Sequence, residues 1–142
     1  MAEDTFLPGL LIDRGLIVVD MKSLKYPGDL LHEMGHIAVM APDERRRRKG
    51  DISKKPADEM ATIAWSWAAL SHLAIEPEVV FHSSGYRGGS ENLISSFKSP
   101  ADEGDTGGVG VPMLRYYGMT PHLDEIQERG AKPFPHMLHW LR

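Results

Sequence analysis

With 42% hydrophobic and 25% charged side chains, the 142 residues suit one ordinary globular domain, residues 1–142, built on a single core. A net charge of -4 gives no general attraction to nucleic acid or an anionic membrane, and no apolar run approaches the roughly 18 residues of a membrane span. The absence of cysteine excludes disulfides and leaves His, Asp and Glu as metal ligands, and the amino end lacks the order of a signal peptide, so a cytoplasmic protein is expected.

Leu10-Leu11-Ile12 and Leu16-Ile17-Val18-Val19, separated by Asp13-Arg14-Gly15, read as two short strands around a tight turn. Tyr26 to Met40 follows and carries His32-Glu33-Met34-Gly35-His36 inside a helical apolar pattern. Residues four apart stack on one helix face, so His32 and His36 can aim two imidazoles at one point and chelate zinc. From this chain's own His and Glu content, a chance match is expected about 2% of the time, so the motif stands out from composition. Leu30, Leu31, Met34, Ile37 and Ala38 fill the opposite arc, which predicts an apolar side in the core and a chemical side on a cleft. Glu33 lies about 100° round from His32, placed to take a proton from an activated water rather than to act as a ligand. Gly35 costs roughly 1 kcal/mol against Ala in a helix, which predicts that another backbone passes close to it.

Pro42 ends or distorts this helix, and Glu44-Arg45-Arg46-Arg47-Arg48-Lys49 follows as a charged connection. The basic run is short and lacks interleaved aromatics, so it reads as a solvated loop or helix end rather than a phosphate-binding surface. Pro56-Ala57-Asp58-Glu59 is a strong helix start, and the apolar residues from Met60 to Leu73 surround almost the whole circumference of the helix that follows. That helix should be the central buried one. Catalytic zinc usually has three protein ligands; Glu59, in the first turn, is the favoured third, Asp58 the fallback, and service to the helix dipole the plain alternative for both acids. His72 lies about 20 Å further along the axis and cannot share a metal with Glu59 on a straight helix.

His32-Glu33-x-x-His36 with a second helix opening at Glu59 resembles the gluzincin branch of zinc metallopeptidases. Thermolysin-like enzymes are its familiar members, and small bacterial metallopeptidases that cleave repressor proteins have the same short layout. The resemblance covers about Leu16 to Leu73 and implies zinc held by His32, His36 and Glu59, Glu33 as general base, and a peptide or protein substrate. Val39 and Pro42 stand where a metzincin would continue with its Gly and third ligand. Asp58 stands where thermolysin-like enzymes have Asn, and Ile63 where they have the Asp that supports a ligand histidine.

Beyond this region, His82, Tyr86 and Arg87 are groups able to stabilise a developing oxyanion, and His82 is also a candidate ligand; a glycine-rich turn capped by Ser90 before a short helix, Glu91 to Phe97, is the plain alternative. Residues 99–110 read as a flexible loop, followed by short helices at Val111 to Tyr117 and Leu123 to Arg129. The final segment, Pro133 to Arg142, is too apolar for a free tail and is expected to dock on the body or on a second copy in a homo-oligomer; His136 and His139 read as packed rather than metal-binding. The whole predicts an α+β domain in which a small amino-terminal β-sheet packs on two main helices, with further short helices. Its expected activity is zinc-dependent peptide hydrolysis, and the competing reading is a non-catalytic metal-binding or interaction module.

Overall fold

A two-residue turn organises the amino-terminal sheet. Arg14 and Gly15 take φ of 49° and 85°, the consecutive positive values of a turn whose twist matches paired strands. They join β1 (Leu10–Asp13) to β2 (Leu16–Val19) in antiparallel register from Leu10↔Val19 to Asp13↔Leu16. The structure is a computed structural model that describes residues 9–50, 56–82, 89–98 and 108–142. Leu10 and Ile12 are buried on alternate positions of β1, as a half-buried strand requires.

Next comes α1 (Gly28–Val39), which carries the His-Glu-x-x-His motif. Pro42 opens a separate short helix, α2 (Pro42–Arg47), inside the stretch expected to be a solvated connection. The chain then returns as β3 (Lys49–Gly50), antiparallel to β1, so the sheet order is β2-β1-β3. This third strand is too short to show a period in sequence. The long helix α3 (Pro56–Leu73) follows and is buried continuously from Ala61 to Leu70. Four shorter helices follow among the described residues: α4 (Pro77–Val80), α5 (Ser90–Lys98), α6 (Val111–Tyr116) and α7 (Leu123–Arg129). The architecture is α+β. No helix among the described residues is long and apolar enough to cross a membrane.

Among the described residues, two apolar clusters hold these elements together. The larger joins Leu31, Ala38 and Val39 of α1 to the buried length of α3, with Val80, Phe81, Ile94, Val111 and Leu114 from the later helices. Trp67 stacks on Phe97 with ring centroids 4.9 Å apart, which ties α5 to α3. The smaller cluster, Ile12, Ile37 and Met40 with Ile17 beside them, seats the sheet against the far end of α1. Met34, expected on the apolar side of α1, is 43% exposed, and Met60 and Leu73 at the ends of α3 are exposed too. Methionine's flexible stem tolerates this position, and the burial on α1 goes instead to the histidine face.

One arginine of the basic run has a structural task. Arg45 turns back and donates to the carbonyls of Ile37, Ala38 and Met40 at 2.9–3.1 Å. These are carbonyls left over at the C-terminus of α1, where a cation also meets the negative end of the helix dipole. Arg46 pairs with Asp43 in α2, and Arg48, just past its end, pairs with Glu44; these are surface pairs of a solvated helix end, so Arg45 is the arginine that departs from that reading. The final segment docks on its own domain. Arg142 donates its backbone N–H to Ala38 at 2.9 Å, its carbonyl accepts from Arg45 at 2.8 Å, and the Trp140 carbonyl accepts from the Trp65 indole at 2.9 Å. Arg45→Ala should therefore lower the unfolding free energy by about 2 kcal/mol in urea titrations, while Arg47→Ala on the same helix changes it by less than about 0.5 kcal/mol.

Candidate metal centre

The site is assembled where α1 crosses α3. A Cβ added to Gly35 would lie 3.0 Å from Thr62 Cγ2 and 3.1 Å from a Trp65 ring carbon, so the missing side chain lets α3 approach. This is the neighbouring backbone that Gly35 implied. The approach carries the first turn of α3 over the histidine face of α1, and the chemical side of α1 is therefore buried rather than lining an open cleft. Asp29, His32, Glu33 and His36 are all less than 9% exposed.

Within this contact, Nε2 of His32 and Nε2 of His36 lie 3.1 Å apart. Glu59 closes the triangle: Oε1 is 3.1 Å from His32 Nε2 and Oε2 is 3.0 Å from His36 Nε2. The three residues each offer a donor atom within 4.8 Å of the others, and they form a group able to bind a metal ion. Two ligand atoms at about 2.1 Å from a shared tetrahedral centre are about 3.4 Å apart, a few tenths of an ångström more than the 3.0–3.1 Å seen here. The Glu59 side chain is 42% exposed, so the triangle opens to solvent on that side alone of its three members.

Electrostatics point the same way. Burial pushes the Glu59 carboxyl up, but the hydrogen bonds and charges of His32 and His36 outweigh it and hold the group well below the usual carboxylate range. The carboxylate is thus anionic at neutral pH, facing two imidazole nitrogens across about three ångströms. A proton or a cation between them makes that arrangement attractive.

The other expected site residues fall elsewhere. Asp58 acts on Tyr117: burial pushes that phenol's pKa up, the Arg142 charge opposes the rise, and Asp58 adds to it. Arg142 lies over the Tyr117 ring at 3.9 Å, so the fallback acid belongs to a separate polar cluster. His82 does not join the metal group: its Nε2 is 2.6 Å from Asp29 Oδ1 and its ring stacks on Tyr26 at 4.0 Å. Asp29 sits three positions before His32 and four before Glu33, on the same face of α1, so His82 is tied to the neighbouring turn. Tyr86 and Arg87 lie outside the described residues. Glu33 is buried on α1 and is not part of the metal-capable group.

Thr62 was not legible as a site residue. Its hydroxyl lies 3.2 Å from His36 Nδ1 and 2.8 Å from the Asp58 carbonyl. The available signal was its spacing, three residues after Glu59 and so on the same face of α3. It occupies the supporting role that Ile63, one residue on, cannot take.

No protein-family profile matches the chain, and neither curated proteins nor solved structures give a match. The metal group stands on its own geometry. His32→Ala, His36→Ala and Glu59→Ala should each abolish the binding of about one divalent metal ion per chain in equilibrium dialysis, while Asp58→Asn keeps it. Full binding in Glu59→Ala would remove α3 from the site. Gly35→Ala gains about 1 kcal/mol of helix propensity, but overpacking against Thr62 and Trp65 should leave the domain about 1 kcal/mol less stable by thermal unfolding.

Proposed function

We propose that the protein is a zinc-dependent peptidase in which His32, His36 and Glu59 hold the metal and Glu33 is the general base. The observation that carries this reading is the Glu59 carboxylate set across both Nε2 atoms, because it completes a three-ligand set from two rigid helices. Two imidazoles and one carboxylate suit zinc better than magnesium or calcium, which prefer oxygen ligands throughout. A bound zinc ion would supply Lewis acidity at a fourth coordination position left open by the protein.

The chain's own residues account for the remaining steps. His32 and His36, buried and set at 82° to one another, are held in one orientation by the α1–α3 contact. Glu33 takes the proton of the attacking water and returns it to the leaving amine, which needs a carboxylate beside the ligands and outside the ligand set. His82, held by Asp29, would face the oxyanion side of the site. Burial of the histidine face limits access by bulk water, which strengthens the electrostatic interactions there.

An extended peptide also has a place to pair. In the order β2-β1-β3, β1 is internal and β2 has one edge without a neighbour among the described residues. Leu16 on that strand is 70% exposed, so a substrate side chain would meet an apolar surface beside the strand.

The decisive variant is Glu33→Gln. It should keep the zinc and lower the cleavage of a peptide library, read by mass spectrometry, by about 10²- to 10⁴-fold. Unchanged cleavage would exclude Glu33 as base. Zinc bound tightly by a parent that cleaves nothing in the library would favour the metal-binding module instead.

A further inference from the structure

The donor pattern around His36 identifies what aims it. Thr62 is fully buried, and its hydroxyl has a single hydrogen to give. The Asp58 carbonyl, 2.8 Å away, can only accept, so that hydrogen points to it. The face of Oγ1 toward His36 is then a lone pair, and Nδ1 at 3.2 Å must be the donor. With Nδ1 carrying hydrogen, Nε2 of a neutral His36 is a lone pair directed at the triangle, which is the form a metal ligand requires.

Sterics make this arrangement rigid. Threonine is branched at Cβ, and a hydroxyl bonded to the carbonyl four residues back selects one of its helical rotamers. The methyl group is held as well, since it lies against the bare backbone of Gly35. Both substituents of Thr62 are thus committed, one to Asp58 and His36, the other to α1.

We infer that Thr62 is a positioning residue for the proposed zinc site, fixing the tautomer and ring angle of His36 through a neutral hydroxyl where the gluzincin pattern uses a carboxylate. This rests on the zinc reading of His32, His36 and Glu59. A hydroxyl gives direction without adding negative charge, so the ligand shell keeps a single formal charge, that of Glu59.

The test compares Thr62→Val, which keeps shape and removes the hydroxyl, with Thr62→Ser, which keeps the hydroxyl and removes the methyl. Zinc affinity is measured by competition with a chromophoric chelator, and the His36 ring is observed by ¹⁵N NMR in the zinc-loaded protein. The valine variant should bind zinc about 10- to 100-fold more weakly, and the serine variant should recover most of that loss. In the parent, Nδ1–H of His36 should exchange slowly with solvent, in the serine variant likewise, and in the valine variant quickly. A valine variant with parental affinity and slow exchange overturns the inference while leaving the zinc site intact. A parent that takes up no zinc overturns the site reading itself and this inference with it. Should the valine variant not fold, the parent spectrum decides: coordination through Nδ1, or an Nδ1–H exchanging at solvent rates, overturns the proposal.

Discussion

The close approach of α1 and α3 at Gly35 is the constraint on which the rest of this structure depends. Helices with ordinary side chains at their contact stand 8–10 Å apart, and Gly35 permits the tighter end of that range. On the facing helix, Ala61, Ala64 and Ala68 are fully buried and recur at helical spacing, so α3 also offers a stripe of small side chains. The result is a contact in which Thr62 can reach His36 and Glu59 can reach both imidazoles. A larger residue at position 35 would act on the metal group through distance alone, with no change in the identity of any ligand.

Because the crossing is tight, the polar groups inside it must be satisfied by one another. Thr62 serves His36 and the Asp58 carbonyl, Ser66 donates to the Thr62 carbonyl, and Asp29 meets His82. Buried polar atoms left without partners would each cost on the order of 1–3 kcal/mol, so the network is also a condition for folding. The metal group sets two imidazole nitrogens and a carboxylate together across about three ångströms. Such a concentration of nitrogen and carboxylate oxygen is a recurring mark of function, since stability alone would favour apolar packing.

The outer end of α1 is held from two distant parts of the sequence. Arg45, just beyond the helix, and Arg142, about a hundred residues on, share the carbonyls of Ile37 to Met40. Trp140 packs edge-on against Trp65, at a centroid distance of 5.8 Å, so the same segment braces α3. Both helices that carry the metal-capable group are therefore fixed along their length by the core and at the end of α1 by cations. The geometry of that group inherits its rigidity from these supports.

Much of the fold was readable locally. The hairpin register follows from a two-residue turn and alternating apolar residues, α3 from its proline, acids and apolar run, and α1 from a motif whose spacing matches the helical repeat. Gly35 announced a neighbour by its own cost in a helix. What the sequence left open is which residues meet across elements. β3, two residues long, exists only because β1 offers an edge, and Arg45 leaves its neighbours only because α1 ends nearby. The fates of Asp58, Glu59 and Thr62 separate in the same way. All three lie within two turns of α3, but the rotation of that helix against α1 turns Glu59 and Thr62 to the histidines and leaves Asp58 out of the metal group. Spacing along one chain determines which side chains share a face; the direction of that face is set by long-range packing, and only the tertiary structure decides it.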